Sequence, residues 1–441
     1  MSPVVRREPS STYLLVTSLM QQLFITVLSL MMGTALQLLF CSANAQADEP
    51  AARWWKGNLH THSLWSDGDD FPEMIASWYR ERDYNFLALS DHNVLSEGIR
   101  WMPLKQIVNR AGEKALDKYR AKFGDAWVET KGEMGSDDAA VRLKPLDEFR
   151  CLLEQSGKFI LIQGEEISDK ADGKPVHMNA TNLHELINPL GGATVREAME
   201  NNLRSVLEQE RRLQREILPH LNHPNFHYAI TAEDLASVVS ERFFEVYNGH
   251  PGVNHLGDDK HPGIERMWDL ANALRILSYN TEPLFGIGTD DSHHYHDKGG
   301  SRPGRGWVMV RSRYLTPEHL IRAMKAGDFY ASSGVTLRDV KFDATARTLS
   351  LEIAPDADAT YRTEFIATLR PKTDDISEST QMPAADDIGK VVATVDGLTA
   401  SYTVQGNEAY VRAVVTSSLP PNDPVWDAQR QQAWTQPIVL K

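Results

Sequence analysis

Cysteine is nearly absent: 441 residues include only Cys41 and Cys151. That count excludes both a disulfide framework and a cysteine-built zinc site. Positive charge is also scarce, with 46 Lys plus Arg against 60 Asp plus Glu and a net charge of −14. Gripping a nucleic-acid backbone calls for the opposite balance, so no nucleic-acid partner is expected. A small anionic substrate held through bound metal remains compatible with this charge. The sequence has no Walker-type phosphate loop and no glycine-rich dinucleotide fingerprint. Apolar residues at 41% and charged residues at 24% describe an ordinary globular chain long enough for more than one domain.

The first 47 residues read as a signal peptide or N-terminal membrane anchor. Arg6 and Arg7 precede a largely apolar stretch from Tyr13 to Phe40, followed by Ala43-x-Ala45 and Ala45-x-Ala47 as cleavage sites. Gln21, Gln22 and Gln37 make the stretch a poor spanning helix. Cys41 follows Phe40, where a lipoprotein needs a small residue. The expectation is export, to a periplasmic or secreted location, with a membrane partner only if the segment is retained.

From Arg53 a pattern recurs in which a short apolar run ends abruptly in a His- or acid-rich cluster. Phe86–Ser90 leads into Asp91-His92, Phe159–Gln163 into Gly164-Glu165-Glu166, Ile217–Leu221 into Asn222-His223, Phe243–Val246 into Tyr247-Asn248-Gly249-His250, and Leu284–Gly288 into Thr289-Asp290-Asp291-Ser292-His293. Continuous apolar runs suit strands buried on both faces, hence a parallel sheet. Polar clusters at the strand ends fit an α/β barrel whose site lies at its C-terminal mouth. Leu203, Val206, Leu207, Leu213 and Ile217 form a helical stripe. Residues 97–145 read as an insertion with a helical piece at Gln106–Phe123, which either covers the site mouth or lies on the surface. From Leu337 alternating strands without helices predict a small C-terminal antiparallel β-sandwich-like domain over 337–441, separable from a hydrolase barrel over 53–336.

The chemistry gathers on His60, His62, Asp67, His92, Glu166, His177, His223, Asp291 and His293. On a strand, i and i+2 share a side, so His60 and His62 can reach one ion. Buried imidazoles and carboxylates need partners or metal, and nine after successive apolar runs point to a polynuclear metal site. The order His60-x-His62, Ser66-Asp67-Gly68, Asp91-His92, Gly164-x-Glu166, His177, His223-Pro224, Asp291-x-His293 resembles the PHP family, named for polymerase and histidinol phosphatase domains. The wording around Trp55–His60 and Phe244–Gly249 is similar to its exported, stand-alone members.

This resemblance covers roughly residues 54–335 and implies a distorted (β/α)7 barrel with two to three divalent ions, zinc, manganese and iron all being admissible. It implies one ion on His60, His62, Glu166 and Asp291, a second sharing Glu166 with His177 and His223, and a third on Asp67, His92 and His293. Spacing from Gly288 selects Asp290 and spacing to His293 selects Asp291, so both are candidates, with Asp291 as ligand and Asp290 in support. Asp91 is expected to orient a ligand imidazole. Arg302 and Arg305 are candidates for gripping phosphate, or else surface or salt-bridge residues. His250 and Tyr247 are candidate donors to a leaving group, while His294 and His296 are expected in solvent.

Three divalent ions against Asp67, Glu166 and Asp291 leave about +3, which suits an anionic substrate. A metal-bridging hydroxide would be the nucleophile. The expected function is therefore hydrolysis of small phosphate monoesters. One alternative is hydrolysis of a non-phosphate ester, amide or carbamate by the same metals. Another is an envelope- or glycan-binding protein with a scaffold barrel.

Overall fold

A computed structural model of the chain describes residues 20–28, 31, 49–296, 299–371 and 382–440. It divides into two units, Met1–Ala51 and Ala52–Lys441. In the first, residues 20–28 are helical, and the expected cleavage sites, like Cys41, lie outside the described residues. No described helix is long and apolar enough to cross a membrane.

The second unit is a mixed α/β structure built on one large sheet. Its strands are β1 (Arg53–Asn58), β2 (Phe86–Leu89), β6 (Ile160–Ala171), β7 (Lys174–Thr181), β8 (Leu218–Leu221), β9 (Phe243–Asn248), β10 (Phe285–Thr289), β11 (Trp307–Ser312) and β12 (Phe329–Ser332), with β3 (Arg100–Pro103), β4 (Thr130–Lys131) and β5 (Ala140–Leu143) in a side sheet. The C-terminal strands are β13 (Leu337–Asp343), β14 (Thr348–Ile353), β15 (Tyr361–Leu369), β16 (Lys390–Asp396), β17 (Thr399–Thr403), β18 (Glu408–Ser417), β19 (Gln432–Thr435) and β20 (Ile438–Val439). The order in the large sheet is β10-β9-β8-β7-β6-β2-β1-β11-β12-β19-β18-β15-β16. The apolar runs do form strands, and β2, β8, β9 and β10 are buried along their whole length. Trp55, Phe86, Ile162, Phe243, Phe285, Val308 and Phe329 pack together in one core beneath the site.

The sheet departs from the expected parallel barrel in three ways. Pairing is parallel in β1-β2-β6 and β8-β9-β10, but β7 runs antiparallel to both its neighbours and β11 antiparallel to β1. β6 does not stop at Gln163; it continues through Glu166 and turns at Asp172-Gly173, both at positive φ (50° and 72°). An Asp-Gly pair in that conformation is the two-residue hairpin turn whose twist matches the strands. Finally, the ladder does not close into a barrel. Its two sides meet at the mouth through an isolated bridge, Thr61 with Ser292, where the His62 N–H donates to the Ser292 carbonyl (3.0 Å).

The inserted region holds two helices, Leu104–Ala111 and Ala115–Phe123, separated at Gly112 (φ 84°) rather than the single helical piece expected. Its apolar face packs on Leu64, Trp65 and Phe71. Arg110 donates to the carbonyls of Ser66 (2.5 Å) and Gly68 (3.5 Å), so the insertion braces the segment that carries Asp67.

Of the C-terminal strands, β13, β14 and β17 form a separate antiparallel sheet, whereas β15, β16, β18 and β19 extend the large sheet, and residues of both sheets share one core. β19 pairs with β12, and the main sheet runs on unbroken across residue 336. Trp434 packs in the same cluster as Phe244 and Trp268. The Gln436 amide satisfies both the N–H (2.8 Å) and the C=O (2.9 Å) of Gly286 in β10. Buried Arg412 in β18 forms a paired contact with Asp269 (2.7 and 2.9 Å) on helix Ile264–Ala273. The expected boundary therefore falls inside a continuous packed structure.

Candidate metal centre

Strand ends deliver the candidate ligands. At the end of β1, the Asn58 amide donates to the His60 carbonyl (3.1 Å), to Thr61 Oγ1 (2.9 Å) and to Asp290 (3.2 Å), fixing the path of His60 and His62. The Thr61–Ser292 bridge then lays Asp291 and His293 beside them. His92 follows β2 and bridges to Glu166 in β6. The hairpin brings His177 back toward Glu166, and His223 follows β8. His223 (φ 21°) and Asp291 (φ 47°) both sit in left-handed backbone, a strain of about 1–3 kcal/mol each that is characteristic of functional sites.

All nine sequence-selected residues converge. Asp291 Oδ1 lies 3.2 Å from His60 Nε2 and 3.3 Å from His62 Nε2. Glu166 Oε1 lies 3.5 Å from His60 Nε2, 3.0 Å from His177 Nδ1 and 3.5 Å from His223 Nε2. Its Oε2 lies 3.4 Å from His62 Nε2 and 2.7 Å from His92 Nδ1. Asp67 reaches His92 Nε2 (3.5 Å) and His293 Nε2 (3.4 Å). Two donors held about 2.1 Å from one ion stand roughly 3.0–3.4 Å apart, depending on the angle between them. Most of these spacings match that range. His60 Nε2 and both ring nitrogens of His62 are buried without a hydrogen-bond partner. Orphaned imidazole nitrogens at ligand spacing from carboxylates fit divalent cations.

The electrostatics agree. Burial opposes charge on Glu166, but His92, His60 and His177 outweigh it and hold the carboxyl well below its usual range. Asp291 is likewise buried and held low by His60, His62 and His293. Burial, with His293 and His92 nearby, pushes His62 down to about 3, so its ring is neutral and available as a ligand. Glu165 points to the other side of β6, where its carboxylate accepts the Ile187 N–H (3.0 Å) and burial raises it to about 8.

The supporting residues are arranged differently from the sequence expectation. Asp291 faces the cluster, whereas Asp290 accepts N–H groups from Gly304 (2.9 Å), Arg305 (2.7 Å) and Gly306 (2.7 Å), as well as the Tyr79 hydroxyl (2.7 Å). Asp91 orients no imidazole. It accepts the Ser63 N–H (2.7 Å), the Ser63 hydroxyl (2.7 Å) and the Ser66 hydroxyl (2.5 Å), holding the turn before Asp67.

Tyr247 is buried in the core, its hydroxyl accepting from the Gln429 amide (3.0 Å) and its ring stacked on Trp434, so it is not placed to serve a leaving group. Arg305 is buried and fully engaged with the Gly249 carbonyl (2.8 Å), the Gly300 carbonyl (2.8 Å) and Asp423 (3.1 Å), leaving no fork for phosphate. Arg302 is half-buried, 3.7 Å from Asp423. His250 stands at the mouth, its ring centroid 5.9 Å from that of His293. Its Nδ1 accepts the Gly252 N–H (3.0 Å), so the proton of the neutral ring is on Nε2. His294 is exposed and His296 partly buried beside Asp70.

Sequence reasoning missed Glu245, His220, Asn222 and Asn248. The Asn222 amide donates to Glu166 Oε1 (2.8 Å), and the Asn248 amide to Asp291 Oδ2 (3.1 Å). Glu245 and His220 are fully buried inside apolar strands. An isolated ionisable group within such a run was the available signal, because burial without a partner is costly.

No protein-family model matches the chain, and no curated protein matches it. The chain is similar to solved structures that include PHP-like metal-dependent phosphoesterases. A two-domain protein from Bacteroides vulgatus, described as containing a predicted PHP-like metal-dependent phosphoesterase, is 17% identical, with a TM-score of 0.37, over 82% of this chain and 90% of that one. PsfC from Pseudomonas syringae is 12% identical, with a TM-score of 0.32, over 62% of this chain and 88% of that one. A provisional metal-dependent phosphoesterase from Bifidobacterium adolescentis is 13% identical, with a TM-score of 0.28, over 57% and 92%.

Proposed function

We propose that this chain is an exported metal-dependent hydrolase acting on small phosphate monoesters. The observation that carries the metal reading is the buried cluster of His60, His62, Glu166 and Asp291, with imidazole nitrogens that find no protein partner. His60, His62, Glu166 and Asp291 would hold one ion, Glu166 with His177 and His223 a second, and Asp67 with His92 and His293 a third. Divalent ions bound there would supply Lewis acidity and a nucleophile at neutral pH.

The chain's own groups do the rest. Glu166 spans two ligand sets and holds them at a fixed separation. Asp67, with its side chain half exposed, marks the open side of the cluster through which substrate enters. His250, whose ring centroid lies 5.9 Å from that of His293, would give its Nε2 proton to a departing alkoxide. Three divalent ions would bring +6 against −4 from Asp67, Glu166, Asp291 and the Glu245 carboxylate behind His60, which would leave the cluster cationic and favour an anionic ester over a neutral one.

The test has two parts. Protein prepared without chelators should hold about two to three divalent ions. It should release phosphate from a panel of small monoesters and leave carboxylic esters and amides intact. A folded sample with less than about one ion, inactive after metal addition, refutes the metal reading; activity confined to carboxylic esters or amides refutes the phosphate assignment.

A further inference from the structure

Glu245, in β9, is fully buried, and no proposed ligand set includes it. Its Oε1 accepts from His60 Nδ1 (2.7 Å) and from the Thr289 hydroxyl (2.7 Å). Its Oε2 accepts the backbone N–H of His223 (2.8 Å) and the Asn248 amide (2.7 Å). That amide also reaches Asp291 Oδ2 (3.1 Å). One carboxylate therefore touches His60, the backbone of His223 and, through Asn248, Asp291. These three candidate ligands follow β1, β8 and β10.

We propose that Glu245 is the positioning residue of the metal centre, fixing His60 with its proton on Nδ1 and its lone pair on Nε2 and clamping the His223 and Asp291 segments at ligand distance. This rests on the metal reading above and deepens it. A carboxylate behind a ligand imidazole sets both tautomer and ring orientation, and it raises the basicity of the nitrogen facing the ion.

A rival assignment makes His60, His220 and Glu245 a further metal-holding group, since their ligand atoms also lie close together. The distances decide against it. His60 Nδ1 and Glu245 Oε1 at 2.7 Å are at hydrogen-bond separation, shorter than the roughly 3.0–3.4 Å between two donors on one ion. That oxygen is also already shared with the Thr289 hydroxyl. His220 Nε2 lies 3.5 Å from the same oxygen, so it is the His60–Glu245 contact, and not His220, that speaks against this group.

The experiment measures cobalt(II) binding and the visible cobalt spectrum of wild type and Glu245→Gln, with folding checked by circular dichroism. The amide keeps the shape and can still accept from His60 but removes the charge. The expected result is a folded variant whose cobalt dissociation constant rises about 10–100-fold with a shifted spectrum. A folded variant with affinity and spectrum within about twofold of wild type overturns the proposal. Should Glu245→Gln not fold, nitrogen NMR of the zinc-loaded wild type decides. His60, assigned by its loss in His60→Asn, should show a proton on Nδ1 and a metal shift on Nε2, and a metal-bound Nδ1 overturns the proposal. A wild type that binds no cobalt at all overturns the metal reading itself, and this inference falls with it.

Discussion

Replacing in turn the two neighbouring glutamates of β6 separates a candidate ligand from a residue on the opposite face of the strand, one position apart in the chain. Glu166→Gln removes a charge that faces His177, His223 and His60 through one oxygen and His62 and His92 through the other. It also turns an amide N–H₂ toward one of those groups of ring nitrogens. Breaking one side of a buried charge pair costs about 3–5 kcal/mol, which corresponds to roughly two to four orders of magnitude in ion affinity. Because the carboxylate serves both sets, two ions should weaken together and turnover should fall at least as far. Glu165→Gln replaces a group that burial already holds at about 8, so at pH 7 one neutral group stands in for another, and the Ile187 N–H keeps its acceptor. The assay is ion content by elemental analysis and phosphate release for both variants under the same metal supply. If Glu165→Gln loses the ions while Glu166→Gln keeps them, the reasoning on strand facing is wrong.

Other perturbations test the scaffold. Glu241 is fully buried, accepts the N–H groups of Arg242 and Phe243, and is raised by burial to about 7. Its folded pKa exceeds the unfolded one near 4.5, so its contribution is fully present below about pH 4.5 and is lost as pH rises toward 7. That amounts to roughly 3 kcal/mol, and Glu241→Gln should flatten this part of the stability–pH curve in urea melts. Arg305→Ala strips partners from the Gly249 and Gly300 carbonyls and should lower stability by about 2–4 kcal/mol with little change in KM. A raised KM at unchanged stability would return Arg305 to phosphate binding. A chain ending at residue 336 should fail to give a cooperative thermal transition, since Gly286 loses Gln436 and helix Ile264–Ala273 loses Arg412; a cooperative, metal-loaded truncation would show the C-terminal strands to be separable after all.

The strand ends were legible because burial on both faces writes itself as an unbroken apolar run, and a His or acid directly after such a run stands out. Phe86–Leu89 and Phe285–Thr289 fall within a residue of where the pattern puts them. Strand direction was not legible. A run buried on both faces carries no period that tells parallel from antiparallel, and the strands that break the parallel pattern follow no unbroken apolar run: β7 opens on polar residues and β11 alternates between buried and half-buried positions. The Asp172-Gly173 pair is the local cue to the hairpin, a turn signal set within a polar stretch that carries no apolar run on either side. His60, His62, His92, Glu166, His223, Asp291 and His293 were visible because each has a chemically distinctive side chain close after a run, whereas Asp67 and His177 entered only through the order of the motifs. The clamp on Glu245 was not visible, because its partners come from four separate stretches of chain. Arg305 was misjudged for a related reason: a guanidinium beside a metal motif looks the same in sequence whether it faces substrate or backbone carbonyls.

The Thr61–Ser292 bridge has a consequence for when the proposed ion sites could be completed. His60, His62, His92, Glu166 and His177 emerge early in synthesis, yet Asp291 and His293 come from the far side of the open sheet. Closing a loop of that length costs about 5 kcal/mol of chain entropy before any contact repays it. An incomplete chain would expose a partial imidazole set able to capture whichever cation is most avid, with copper ahead of zinc and manganese. Ion choice is then decided where folding finishes, by the cations present as residues 289–293 dock against residues 58–62. On the proposed metal reading, the compartment in which that docking happens would become a determinant of which metal the cluster takes.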